Sequence, residues 1–210
     1  MKSGKRNQEP DSLLGPAPAG RSGEEEIESL LLGVINRFIG LFTRQIHHMT
    51  GMDASEYPFV AMDTRQVFHE LLFASRYLAK RDGGRRGEAI KFVDIGCGFG
   101  NVMLFAEQFE FDVYGIEKDE ASLKIARDLF EPEQLIEADI RTYDGYGQFD
   151  VVYYFCPLTE GEREFELFVE DQIKKGALLI ANYKRSQAIE NDRRFVRLHS
   201  QLPVYEKVGM

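Results

Sequence analysis

The stretch FVDIGCGFGN, Phe92–Asn101, combines an apolar segment with three glycines at every second position. The apolar part is typical of a buried strand, and Asp94 stands near the end of that strand. Glycine has no Cβ and permits positive φ angles, so Gly96, Gly98 and Gly100 allow the backbone to turn sharply and to approach a ligand closely. A structural turn needs fewer glycines. The pattern therefore predicts a ligand-binding loop after a buried strand.

Strands and helices alternate along the chain from about residue 88 onward. The segments AIKFVDI, FDVYGI, QLIEADI, FDVVYYF and GALLIAN predict five strands, and amphipathic segments between them predict helices. Because these strands are continuously apolar, we expect a parallel sheet with helices on both faces. The final segment, RRFVRLHSQLPVYEKV, predicts two short strands around Pro203 at an antiparallel edge. The predicted fold class is α/β.

Three regions of different composition divide the chain. Residues 1–23 are rich in glycine, proline and charge, and are predicted to be a disordered tail. Residues 24–85 contain two amphipathic segments and are predicted to form a helical cap or lid, in which Tyr57 and Phe59 could cover a ligand. Asp63 or Thr64 is expected to cap the second helix. Residues 86–210 are predicted to form the ligand-binding domain.

The composition argues against several classes of function. The 210-residue chain has a formal net charge of -9, which disfavours a nucleic-acid backbone as its main partner. Its two cysteines lack the CxxC spacing and its four histidines are scattered, so no metal site is expected. The sequence shows no secretory signal and no apolar run of about 18 residues, and it therefore predicts a cytoplasmic protein without membrane contact.

The glycine loop differs from the pattern that binds a dinucleotide. In G-C-G-F-G-N, Asn101 stands where the G-x-G-x-x-G pattern places its third glycine. A carboxylate at Asp94 would also repel a pyrophosphate. A ligand with an ammonium or sulfonium centre would instead be stabilised by that carboxylate.

The stretch resembles the D-x-G-x-G-x-G loop of class I S-adenosylmethionine-dependent methyltransferases. The resemblance implies a Rossmann-like fold, S-adenosyl-L-methionine as the cofactor, and contact of its methionine part with the loop. It also implies that Glu117, after the second strand, binds the ribose hydroxyls, and that Asp139, after the third, lies near the adenine amino group. The candidate cofactor-binding residues are Asp94, Gly96, Cys97, Gly98, Gly100, Glu117, Lys118, Asp139, Ile140 and Tyr154.

The methyl acceptor is expected to bind after the fourth strand, where the sequence reads FCPL, Phe155–Leu158. This segment lacks the Asn or Asp of enzymes that methylate nucleobase amines, so a nucleic-acid acceptor is disfavoured. Tyr154 and Cys156 are the candidate catalytic residues. VDIGCGFGNV and YGIEKDE also resemble, more loosely, small DOT1-like protein lysine methyltransferases.

The predicted function is methyl transfer to a small-molecule or protein acceptor. Two alternatives stay open at this point. One is a Rossmann-type oxidoreductase that binds NAD(P), and the other is a non-catalytic module that binds S-adenosylmethionine.

Overall fold

The computed structural model describes residues 23–50, 63–81, 83, 89–155, 158, 160–184 and 187–209. The predicted tail, apart from Gly23, and the residues Tyr57, Phe59 and Cys156 lie outside the described residues. The division into tail, cap and ligand-binding domain stays a prediction. Within the described residues, no helix is long and apolar enough to span a membrane.

A seven-stranded sheet forms the centre of the protein. Its strands are β1 (Lys91–Ile95), β2 (Asp112–Glu117), β3 (Leu135–Glu137), β4 (Val151–Phe155), β5 (Leu178–Asn182), β6 (Phe195–Arg197) and β7 (Val204–Lys207). The order is β3-β2-β1-β4-β5-β7-β6; β1 to β5 are parallel, and β7 runs antiparallel to both of its neighbours. The predicted Rossmann-like α/β fold and its antiparallel edge are confirmed.

The helices are α1 (Gly23–Thr50), α2 (Thr64–Arg81), α3 (Asn101–Glu107), α4 (Glu120–Ala126) and α5 (Glu162–Gln172). Asp63 caps α2, since its Oδ1 accepts hydrogen bonds from the amides of Arg65 at 2.8 Å and Gln66 at 3.4 Å. The sequence predicts that α4 continues to Phe130, but the regular helix ends at Ala126. The amides of Leu129 and Phe130 both bond to the Ala126 carbonyl, and this tighter turn brings the Phe130 ring against Gly100.

Apolar side chains cover both faces of the sheet. On one face, Phe92 and Tyr153 pack with residues of α2 and α3. On the other face, Val93 and Tyr154 pack with residues of α5. Because successive side chains of a strand point to opposite faces, Asp94 lies on the face of Phe92 and Tyr153. The order of connections reverses between β1 and β4, which places a crevice at the carboxyl ends of these two strands.

Candidate functional site

The glycine loop follows β1 directly and has the backbone conformation that only glycine adopts at low cost. Gly96, Gly98 and Gly100 have φ angles of 75°, 56° and 88°. The amides of Gly96 and Cys97 both donate to the Ile116 carbonyl, at 2.8 and 3.1 Å, which fixes the start of the loop to β2. The loop is therefore a defined turn at the rim of the sheet.

Glu117 holds the middle of this loop from the neighbouring strand. Its Oε2 accepts a hydrogen bond from the Gly98 amide at 3.1 Å. Its Oε1 accepts from the amides of Lys118 at 2.8 Å and Asp119 at 2.9 Å. A carboxylate oxygen has two lone-pair sites, so the two amides use both sites of Oε1, and Oε2 keeps the capacity to accept a ligand hydroxyl.

Asp94 is a buried acid close to Glu117. The residue is 4% exposed. Burial, and then the negative charge of Glu117, raise the pKa of Asp94 from 3.8 to about 8. No cation of the described residues contributes to this environment. A positively charged group placed beside Asp94 would lower its pKa again, and the same interaction would bind that group.

Asp139 stands beside Glu117 along the rim. The Ala138 amide donates to the Glu117 carbonyl at 3.1 Å, so the chain after β3 continues next to the end of β2. The half-buried Asp139 accepts a hydrogen bond from the Arg141 amide at 2.9 Å through Oδ1. Ile140 is buried, and its carbonyl accepts from the Tyr146 hydroxyl at 2.7 Å. The three predicted acids thus lie at the carboxyl ends of three adjacent strands: Asp94 and Glu117 are within the last two residues of β1 and β2, and Asp139 is two residues after β3.

The Cys97 side chain packs beneath the loop. A Cβ at Gly115 of β2 would lie 2.5 Å from Cys97 Sγ and 2.5 Å from Met103 Sδ, so the absence of a side chain at Gly115 makes room for both sulfur atoms. Burial, and then the charge of Asp94, raise the pKa of the Cys97 thiol well above its ordinary value. The thiol is therefore protonated, and Cys97 supports the loop as an apolar side chain.

The two tyrosines of β4 lie on different faces, as their alternation predicts. Tyr154, a predicted cofactor and catalytic residue, packs edge-on against Phe165 of α5 with ring centroids 5.5 Å apart. Tyr153 lies on the other face and pairs directly with Asp94 across the parallel ladder. Burial raises the pKa of Tyr153 well above its ordinary value, and the charges of Glu70 and Asp94 add to this rise. The role of Tyr154 stays a prediction, but Tyr153 is the tyrosine on the side of Asp94.

A second polar cluster, formed by Gln66, Glu70 and Asn182, lies on the same face at the end of β5. Gln66 Nε2 donates to Glu70 Oε1 at 2.9 Å and to Asn182 Oδ1 at 2.6 Å. Asn182 Nδ2 donates to Glu70 Oε2 at 3.0 Å. Glu70 is fully buried, and this burial raises its pKa from 4.5 to about 7. We call this group the amide–carboxyl cluster.

The amide–carboxyl cluster was not found by sequence reasoning. Gln66 and Glu70 belong to α2, and Asn182 lies more than a hundred residues further along the chain. Glu70 sits within an amphipathic helix, where an acid is usually a solvated surface residue. The one sequence signal was the position of Asn182 at the carboxyl end of a buried strand.

The geometry of the site suits a ligand that combines a positive charge with hydroxyl groups. Asp94 offers a carboxyl group that a cation beside it would keep ionised, Glu117 offers an acceptor for a hydroxyl, and the glycines let the ligand approach the backbone. This set of groups fits S-adenosylmethionine, whose ammonium, sulfonium and ribose carry those features. Among the described residues, no group of three or more His, Cys, Asp or Glu side chains is arranged to hold a metal ion.

Comparison with known proteins gives one family match. Residues 92–169 match the sequence model of the family described as "Methyltransferase domain", which confirms the resemblance over β1 to α5. No curated protein matches the chain at a significant level.

Several solved structures have a related fold. DesVI of Streptomyces venezuelae is 21% identical, with a TM-score of 0.42 over 55% of this chain and 50% of that one. The sugar N-methyltransferase KedS8 from Streptoalloteichus is 17% identical, with a TM-score of 0.43 over 70% and 62%. The plantazolicin methyltransferase BpumL, solved with S-adenosylhomocysteine, is 18% identical, with a TM-score of 0.44 over 75% and 60%. The chain spans about half the length of DesVI.

Proposed function

We propose that this chain, whose residues 92–169 match a methyltransferase-domain family, is an S-adenosylmethionine-dependent methyltransferase that acts on an amino group of a small-molecule or protein acceptor. The observation that carries the cofactor assignment is the buried Asp94, which lies under the glycine loop with Glu117 as its charged neighbour. Ionising a buried carboxyl group costs free energy when no cation lies beside it. A cationic ligand bound at this place offsets that free energy.

Each cofactor-binding residue has a defined task in this proposal. Asp94 binds the positive charge of the methionine part, and the backbone of Gly96 to Gly100 leaves room for that part to lie close to the sheet. Glu117 accepts a hydrogen bond from the ribose hydroxyls through Oε2, which also accepts from the Gly98 amide. Asp139 and Ile140 lie at the adenine end, and the exposed Lys118 borders the ribose. The bound cofactor supplies a methyl group, and the positively charged sulfur that carries this group activates it for displacement.

The remaining work of the protein is to position the acceptor and to manage its proton. The amide–carboxyl cluster provides polar groups for this purpose on the face of Asp94, at the carboxyl end of β5. The Glu70 carboxyl, with its pKa of about 7, can accept a proton from an ammonium group near neutral pH and release it again. Gln66 and Asn182 hold both of its oxygens and so orient it.

The cofactor assignment is tested by a substitution of Glu117. We expect Glu117→Ala to weaken the binding of S-adenosylhomocysteine by roughly 1.5–3 kcal/mol, the range for hydrogen bonds to a charged group. Isothermal titration calorimetry measures this change, and circular dichroism shows that the variant is folded. Glu137→Ala removes an exposed carboxylate from the adjacent strand β3 and should leave the affinity unchanged.

Two calorimetric results would contradict the cofactor assignment. The first is an unchanged affinity in a folded Glu117→Ala variant, which would remove Glu117 from the site. The second is binding of NADH without binding of S-adenosylhomocysteine, which would favour the oxidoreductase.

The acceptor assignment is tested by Glu70→Gln, which keeps the size of the side chain but cannot ionise. In a screen of methyl uptake with primary amines and lysine peptides, the wild-type rate should rise as the pH increases through about 7, because Glu70 must lose its proton before it accepts another. The rate of the Glu70→Gln variant should not rise with pH in this range and should be at least about tenfold lower than that of the wild type. Its affinity for S-adenosylhomocysteine should be unchanged. Uptake into hydroxyl compounds alone would contradict an amine acceptor.

A further inference from the structure

An apolar stripe runs along the exposed side of α1. Its members are Ile27, Leu31, Val34, Phe38 and Leu41, and Leu30 borders it. Leu30 is 68% exposed and Phe38 is 69% exposed, and the other four are also exposed. The five members follow one another at steps of four, three, four and three residues. This spacing is that of a coiled-coil seam, in which apolar positions repeat every 3.5 residues.

The opposite side of α1 is occupied by α2. Thr64 donates to Asn36 through its hydroxyl at 2.9 Å, and Arg65 donates to the Ser29 carbonyl at 3.3 Å. Leu32 is the buried apolar residue on this side. In a helix, positions 32 and 36 point about 180° away from position 34. The apolar stripe therefore faces away from α2 and from the other residues that the structure describes.

The charges of α1 are unevenly distributed along its length. The sequence has four glutamates between positions 24 and 28, and arginines at positions 37 and 44, with no acid between 29 and 50. The midpoint between the acidic and the basic segments lies close to Val34. The midpoint of the apolar stripe, from Ile27 to Leu41, is also at Val34. If two copies of α1 cross antiparallel at Val34, the apolar stripe of one copy therefore meets the apolar stripe of the other. The acidic segment of each copy then lies beside the basic segment of its partner.

From this coincidence we propose that α1 forms an antiparallel helix pair with α1 of a second copy of the chain, with the two-fold axis at Val34. Ile27 of one copy contacts Leu41 of the other, and Leu31 contacts Phe38. A parallel arrangement would place the acidic N-terminal segments of the two helices side by side, and the repulsion between them would oppose it. The interface is isologous, because both copies present the same surface.

Phe38→Glu tests the surface. At tens of micromolar, analytical ultracentrifugation should show the wild type as a dimer and Phe38→Glu as a monomer, with a dimer dissociation constant raised at least roughly tenfold because a charge enters the apolar seam. Leu167→Glu, at an exposed leucine of α5, is the matched control and should remain dimeric. A circular dichroism spectrum of Phe38→Glu that matches that of the wild type shows that the monomer is folded.

Cysteine cross-linking tests the direction of the two helices. Val34→Cys should form a disulfide between two copies under mild oxidation, because position 34 lies on the axis. Ile27→Cys should not cross-link to itself, since the two positions are about 21 Å apart along the pair. A mixture of Ile27→Cys and Leu41→Cys should cross-link. The wild type, which contains Cys97 and Cys156, serves as the background.

Three outcomes would overturn the proposal. A monomeric wild type at about 100 μM would mean that another segment, such as residues 1–22 of the same chain, covers the stripe. Sedimentation of the monomer with anionic phosphatidylserine vesicles, abolished by Phe38→Glu, would mean that the stripe binds a lipid surface. Self-cross-linking of Ile27→Cys would mean a parallel pair. None of these measurements depends on the methyltransferase assignment.

Discussion

Asp94→Asn is expected to raise the melting temperature of the ligand-free protein at pH 8 by roughly 5–15 °C, which corresponds to about 2–5 kcal/mol in the free energy of unfolding. The folded protein raises the pKa of Asp94 from 3.8 to about 8 through burial and the charge of Glu117. The stability that Asp94 contributes is therefore complete below about pH 4 and is lost as the pH rises towards 8. Asparagine carries no charge, so the variant avoids this loss.

The same substitution should lower the affinity for the ligand. A cationic ligand binds the ionised form of Asp94, and below pH 8 this form becomes about tenfold more abundant with each unit by which the pH rises. The affinity of the wild type for S-adenosylhomocysteine should therefore increase about tenfold per unit between pH 6 and pH 8. The affinity of Asp94→Asn should be weaker at pH 8 and should not follow this dependence.

Differential scanning calorimetry and isothermal titration calorimetry measure the two effects on the same samples. Asp128→Asn changes an exposed aspartate after α4 and should alter neither the melting temperature nor the affinity. A lower melting temperature for Asp94→Asn, or an affinity of the wild type that is constant from pH 6 to pH 8, would contradict the assignment of Asp94 as the residue that binds the positive charge.

Gly100→Ala is expected to destabilise the protein by about 2–4 kcal/mol and to abolish measurable cofactor binding. A Cβ at this position would lie 2.3 Å from Cε2 of the Phe130 ring, and the φ angle of 88° is unfavourable for alanine. The ring cannot withdraw easily because Phe130 is buried in the cluster between the sheet and α2. The loop must therefore move, and the backbone beside Asp94 moves with it.

Gly176→Ala separates the steric clash from the backbone strain. Gly176 has a similar φ angle of 83°, but the nearest atom to its Cβ position is Arg81 Nη1 at 3.9 Å. This variant should lose only about 1–2 kcal/mol, the cost of the left-handed conformation, and should bind S-adenosylhomocysteine normally. Chemical denaturation measures both losses. Equal losses in the two variants would show that the contact with Phe130 does not constrain the loop.

Local patterns were sufficient for much of the fold. The apolar strands, the intervening amphipathic helices and the glycines after β1 each produce a signal within about ten residues, and the sheet has the predicted strands. The early end of α4 was not predictable, because the apolar pattern of Leu129 and Phe130 fits a longer helix equally well. In the structure the helix ends at Ala126, and the Phe130 ring lies against Gly100, which is 30 residues earlier in the chain.

Some residues of the candidate site were likewise predictable from the sequence, and others were not. Asp94, Glu117 and Asp139 were predicted because each stands at the end of a recognisable strand, and parallel strands bring their ends to one edge. Which tyrosine of β4 faces Asp94 depends on the register between β1 and β4. The cluster of Gln66, Glu70 and Asn182 depends on how α2 docks onto the sheet. Their roles in binding and transfer stay predictions until the variants are measured.

The sequence by itself determined that this chain forms a parallel α/β sheet with a glycine loop and three acids at one rim, because hydrophobic periodicity and glycine conformation are local properties. Only the tertiary structure decided which groups surround those acids, why Gly100 tolerates no side chain, and which side of α1 is left exposed. These features depend on contacts between segments far apart in the chain, whose geometry is set when the helices pack onto the sheet.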